Sequence, residues 1–302
     1  MKQLLVLAAI TCAGCLRADG AFHCSTSMDC VTSTSAGTCQ ATGYCSFPDG
    51  DCPNGRYGGL SGTLSNQCVS GMPADGGTID SAPVAPSLVS SAYLAIQSGS
   101  PMEISFQLTV PDMPNRLLIV SAEMSSDATD TMPSVASVTY GSQQLTQLDV
   151  VTGCGPTSPD TMTQSEQWVL VAPQVSASAT VDIMLASPAV TLHGNAMVFQ
   201  GVNQQTPTRS VAHGSGNDST SLIDVASTPY DLVESTTGHG GGIVGPAANS
   251  TQVFKDNGNG STSLNNAAGS TTPGATGDAA VGWIYSDMDN WQTIAASLEP
   301  VP

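Results

Sequence analysis

Residues 103–110 read EISFQLTV, with Ile104, Phe106, Leu108 and Val110 alternating one by one with Glu103, Ser105, Gln107 and Thr109. Such alternation marks a half-buried β-strand, because successive side chains of an extended chain point to opposite faces. Apolar runs of similar length follow at 116–122 (RLLIVSA), 135–140 (VASVTY), 167–172 (QWVLVA), 180–186 (TVDIMLA) and 196–200 (AMVFQ). Others stand at 221–226 (SLIDVA), 231–236, 279–285 (AAVGWIY) and 292–298 (QTIAASL). Between them lie turn formers such as Tyr140-Gly141-Ser142, Asp256-Asn257-Gly258-Asn259-Gly260 and Pro273-Gly274,. No long window has helical periodicity. Many short strands separated by turns predict an all-β fold, a β-sandwich or jelly roll over residues 87–302.

Upstream the composition changes. Residues 70–86 (SGMPADGGTIDSAPVAP) are rich in Pro, Gly and Ala without periodicity and are expected to be a linker,. Residues 15–69 contain Cys24, Cys30, Cys39, Cys45, Cys52 and Cys68 but almost no aliphatic side chains beyond Leu16. So small and polar a module cannot bury enough apolar surface to hold itself together, and three disulfides among the six are expected to do so. Spacing does not choose the pairing. Zinc is disfavoured because these six contain no C-x-x-C pair. Cys154 is left over.

Residues 1–14 open with Lys2 and the apolar run LLVLAAI at 4–10, followed by small residues. This is the layout of an export signal, and the run is too short for a bilayer core about 30 Å thick. The chain has 302 residues, 40% hydrophobic but only 10% charged, with 6 Lys+Arg against 24 Asp+Glu and a formal charge of -18. That acidity excludes nucleic acid as a partner, since phosphates require a basic footprint, and it disfavours polybasic docking on anionic lipid.

The sequence Ala13-Gly14-Cys15 resembles the lipobox of bacterial lipoproteins, although Cys12 stands where leucine is usual. The resemblance implies that Cys15 becomes an acylated (palmitate-bearing) first residue. With Leu16 following rather than Asp, it implies an outer-membrane or cell-surface address. More than one acyl chain anchors stably, whereas one alone binds marginally. The fragment GYCSFPDGDCPNGRYG, residues 43–58, resembles a small cysteine-rich module found after the signal in lipoproteins and secreted proteins of myxobacteria. Residues 115–120 (NRLLIV), 138–141 (VTYG), 168–173 (WVLVAP), 199–204 (FQGVNQ) and 268–271 (AGST) resemble a family of secreted bacterial β-sandwich domains. That resemblance implies a fold and no catalytic motif.

Several constellations could carry chemistry. His239-Gly240-Gly241-Gly242 is similar to the HGGG oxyanion motif of esterases, but no G-x-S-x-G nucleophile elbow exists in the chain, so a plain glycine loop is expected. Cys154 could act as a thiolate with His193, His213 or His239 as base, yet sequence brings none of them together. Asp287-Met288-Asp289-Asn290, Asp256-Asn257-Gly258-Asn259 and the segment 125–130 present oxygen ligands as a calcium loop would, but none completes that series. Neither a metal nor a cofactor is expected. Trp168 and Trp283 sit inside apolar strands and read as core. Trp291 follows the acidic turn and is expected to be exposed, so Trp291, Asp287 and Asp289 are the candidate ligand contacts, with a carbohydrate or a surface protein as partner. The expectation is therefore a non-enzymatic, lipid-anchored surface protein for binding, adhesion or scaffolding. The alternative is an extracellular hydrolase or carbohydrate-binding protein acting on surface polymer.

Overall fold

The computed structural model describes residues 22–32, 35–40, 42–69, 83–96, 99–127, 132–154, 161–247, 249–257 and 266–302. Cys15 and residues 70–82 of the expected linker lie outside them. The chain divides into two compact units, Met1–Ile79 and Asp80–Pro302.

The first unit is built on three disulfides, Cys24–Cys39, Cys30–Cys45 and Cys52–Cys68. They clamp a small antiparallel sheet of β1 (Thr38–Cys39), β2 (Cys45–Asp49) and β3 (Cys52–Tyr57). Its interior is sulfur: Cys24, Cys30 and Cys45 are buried, with Cys39 and Phe47 packed beside them. Gly55 stands in the left-handed region at φ +87, where a Cβ would come within 2.8 Å of the Phe47 carbonyl oxygen. Arg56 crosses the hairpin to Asp49 at 2.7 Å.

The second unit is a stack of antiparallel sheets. Its middle sheet runs in the order β4 (Ser87–Ile96), β12 (Thr191–Gln200), β6 (Leu117–Asp127), β10 (Thr161–Val171) and β9 (Thr146–Cys154). On one face lies a sheet of β5 (Glu103–Val110), β11 (Ser176–Leu185), β7 (Val135–Tyr140) and β8 (Gln143–Gln144). The alternation in EISFQLTV is realised here, since Ile104, Phe106, Leu108 and Val110 are buried and the residues between them are exposed. They meet Leu118, Val120, Ala122 and Met124 of β6 and Val181 and Ile183 of β11 in an apolar cluster.

The other face of the middle sheet is covered by β13 (Thr208–Ser227), β18 (Gly277–Leu298), β14 (Leu232–His239), β17 (Asn266–Pro273) and β16 (Thr251–Asp256), with β15 (Ile243–Pro246) on β18. Two expectations change here. Residues 279–285 and 292–298 are one 22-residue strand, and 221–226 is the end of a 20-residue strand. The reason is their mutual pairing. β13 and β18 form a ribbon with a corner, where Asp218 pairs with Asp289 and Thr220 with Ile284, so a single residue faces the segment 285–288. The expected acidic turn is this corner within a strand. Ile223, Val225, Ala279 and Val281 beyond the corner pack with Val233 and Ala295, so the ribbon covers part of its own sheet.

Candidate functional site

At the ribbon corner the structure brings together the glycine segment after β14 and the two aspartates. A side chain on Gly240 would meet the Asp289 carboxylate at 2.8 Å, so the carboxylates sit directly on the glycine backbone. Gly240 N–H donates to the Asn290 carbonyl at 2.9 Å, and Asn290 N–H donates to Asp289 Oδ1 at 2.7 Å. Gly241 N–H donates to His239 Nδ1 at 2.9 Å, so the neutral ring carries its proton on Nε2,. The His239 ring is buried and stacks on Tyr285 at 3.9 Å with an interplanar angle of 4°. Burial lowers its pKa, which the charges of Asp289 and Asp287 offset only in part. The two donors that an oxyanion hole would need are therefore spent, one on the β18 backbone and one on the His239 ring.

Trp291 is not the exposed platform expected from its position. It is 7% exposed and belongs to a cluster with Ile243, Ala268, Trp283 and Tyr285. The physical reason is the ribbon: Gly214 and Gly216 of β13 pass close to the indole, and a Cβ on Gly216 would lie 2.9 Å from three ring atoms. Glycine on the partner strand makes the slot that the ring fills. Trp168 is half-buried against the apolar layer and Trp283 is fully buried. Asp287 and Met288 remain exposed.

The histidines are separated. His193 lies in the interior with Nδ1 3.6 Å from Asp256 Oδ2. His213 is 2.8 Å from Asp149. Cys154 ends the edge strand β9 opposite Met162. Among the described residues the one close set of three metal-donor side chains is Cys24, Cys30 and Cys45, and disulfides already bind their sulfurs. Gly258 and Asn259, and most of the segment 125–130 beyond Asp127, lie outside the described residues.

The least expected chemistry lies between the middle sheet and the β14 sheet. Rows across β12, β6 and β10 are set by the register: Phe199–Leu117–Val171, Met197–Ile119–Val169, Asn195–Ser121–Gln167, His193–Glu123–Ser165, Thr191–Ser125–Thr163. The first two rows are apolar and the next three are polar. From the opposite sheet, Gln167 Nε2 lies 3.0 Å from Thr236 Oγ1 and 3.4 Å from Glu234 Oε2. Thr236 Oγ1 is 3.3 Å from Ser121 Oγ, and Ser165 Oγ donates to Glu123.

Gln167, Thr236, Glu123 and Glu234 are all 0% exposed. Oε1 of Glu123, Glu234 and Gln167, and both amide atoms of Asn195, are buried without a hydrogen-bond partner. Desolvation pushes the Glu123 carboxyl up to about 8, against the pull of the Ser165 and Thr236 hydroxyls. It does the same to Glu234, where Gln167 pulls down and the charge of Glu123 pushes further up,. Both carboxyls are therefore neutral acids at neutral pH.

Glu166 on the apolar side of the same strand differs, for it accepts from Val135 N–H, Gln164, Gln147 and Trp168. The sequence carried a signal for the polar layer. Ser121, Glu123 and Ser125 continue the two-residue period of Leu117 and Ile119, and Glu234 and Thr236 continue that of Leu232.

Comparison with protein-family models, with curated proteins and with solved structures finds no match for this chain.

Proposed function

We propose that this protein is exported, anchored by lipid at Cys15, and displayed on the outer membrane or cell surface as a non-enzymatic binding, adhesion or scaffold module. The observation that carries this reading is the trio of disulfides within Cys24–Cys68, immediately after an apolar segment and a lipobox-like sequence. Disulfides persist in oxidising compartments, and a unit whose interior is cystine folds only where they form. The cysteine-rich unit then spaces the larger β domain from the membrane. The exposed Asp287 and the half-buried Asp289 at the ribbon corner supply acidic surface for a partner. The sugar-binding alternative is weaker for losing Trp291, whose ring is covered by its own strand partner.

Expression of the whole chain with its own leader in a bacterium that processes lipoproteins tests the proposal. The membrane fraction should yield a mature protein beginning at Cys15 with acyl mass on that residue, and protease added to intact cells should remove the β domain. An unmodified N-terminus downstream of Cys15 with all the protein in the soluble fraction would overturn it.

A further inference from the structure

We propose that Gln167 and Thr236 join in an internal ester that covalently ties the middle sheet to the sheet facing it. The pair is made for such a step. Gln167 projects from β10 and Thr236 from β14, 69 positions apart in the chain, and their functional groups meet at 3.0 Å in the interlayer. Neither has any solvent exposure. A hydroxyl held against a primary amide in a closed site has the proximity that makes an otherwise slow acyl transfer intramolecular.

The groups around the pair hold it in position. Glu234 precedes Thr236 by two positions on the same face of β14, and its Oε2 lies 3.4 Å from the amide nitrogen of Gln167. Its other oxygen is buried without a partner. Oε2 accepts from the Nε2 N–H, so Glu234 holds the amide nitrogen in place as the leaving group. Ser121 Oγ, 3.3 Å from Thr236 Oγ1, orients the hydroxyl. Glu123 completes the wall as a second neutral acid.

In the step, Thr236 Oγ1 attacks Cδ of Gln167. The threonine proton passes directly to Nε2 across the 3.0 Å contact while Glu234 Oε2 holds the departing nitrogen through its N–H, the Cδ–N bond breaks, and ammonia leaves. The products are one ester and one ammonia, Glu234 is returned unchanged, and no oxidant, reductant or cofactor enters the balance. Loss of ammonia to bulk solvent draws the exchange forward, and the closed layer keeps water from the ester. A cross-link between sheets suits a surface domain subject to pulling and proteolysis, although its chemistry stands whether or not the protein is surface-bound.

Intact-mass measurement of the full-length mature protein tests this directly. The mass should fall one ammonia below that of the sequence after the disulfides and the N-terminus are accounted for. Digestion should release a branched species joining the Gln167 peptide to the Thr236 peptide, which hydroxylamine separates. Thr236→Ser should retain the mass deficit. Thr236→Val should restore the full mass while the far-ultraviolet circular dichroism of the β domain is kept.

Full mass in the unaltered protein, or recovery of the two peptides unlinked, overturns the proposal. So does a deficit that persists in Thr236→Val, which would place the lost ammonia elsewhere, as at an Asn-Gly step. Should Thr236→Val fail to fold, the peptide map of the unaltered protein decides alone.

Discussion

The two layers flanking the middle sheet share the strand β6 and are built on opposite principles. On one face Leu118, Val120, Ala122 and Met124 pack in an apolar cluster, and the buried Glu166 opposite Ala122 has four donors. On the other face Leu117 and Ile119 give way to Ser121, Glu123 and Ser125, and these meet Gln167, Thr236 and Glu234 with several polar atoms unpartnered. The first layer is what stabilises the domain, since each large aliphatic side chain removed from water contributes about 1.5–3 kcal/mol. The second cannot do so on the same terms, because an unpaired buried polar group costs about 1–3 kcal/mol. A protein that keeps such a layer beside an apolar alternative is keeping it for its chemistry or for its specificity of pairing.

The sharpest test of the contrast is pH. Glu123 and Glu234 are raised from 4.5 to about 8 in the folded state, so folding takes up protons above the unfolded value. Their contribution is full below pH 4.5 and is lost as pH rises toward about 8,. Each carboxyl should withdraw about 1.4 kcal/mol per pH unit over that window. His239 acts in the opposite sense, because burial lowers it from 6.5, and its contribution is lost as pH falls through and below that value. Asp231 behaves likewise at lower pH. Burial alone would raise it, but Arg209, Thr228 and Ser297 hold it below the ordinary carboxylate range, and its contribution is lost on acidification.

Denaturant unfolding between pH 6.5 and 8 therefore isolates the two glutamates, and stability should fall steeply across it. Glu123→Gln combined with Glu234→Gln should flatten the slope. A flat profile in the unaltered protein would mean that the polar layer is hydrated.

A smaller effect separates the two faces of β6 by truncation. Leu118→Ala opens a cavity in the apolar layer and should cost about 2–5 kcal/mol at any pH. Ser121→Ala, three positions along and on the opposite face, removes one hydroxyl and should cost about 1 kcal/mol. Equal costs in urea titrations would break the distinction between layers.

The most local effect is at the ribbon corner. Gly216→Ala drives a methyl group against the Trp291 ring and should cost about 1–3 kcal/mol by overpacking, with a shift in tryptophan fluorescence,. An unchanged spectrum and midpoint would show that the slot is wider than its geometry implies.

Local pattern alone was enough for much of this. The alternation in residues 103–110 survives residue by residue in β5, and the cystine content of residues 24–68 follows from cysteine count and the scarcity of aliphatic side chains. Period-two patterning and covalent chemistry act over a few residues, so they can be read from a string. The disulfide pairing could not, because spacing is compatible with many closures. Nor could the length of β13 and β18, since TRSVAHGSGND carries no apolar period and becomes strand only by pairing with its partner.

Trp291 shows the limit from the other side: an aromatic beside Asp287 and Asp289 has a polar neighbourhood in sequence, and is buried only because glycines more than seventy positions upstream lie across it. The polar layer follows the same logic. By alternation Ser121, Glu123 and Ser125 form the solvent face of a half-buried strand, and Glu234 and Thr236 form that of another. Each sheet's sequence determined which residues share a face. Whether that face meets water or a second sheet is decided by long-range packing, and burial is what turns two ordinary glutamates into neutral acids and sets a threonine hydroxyl against a glutamine amide,.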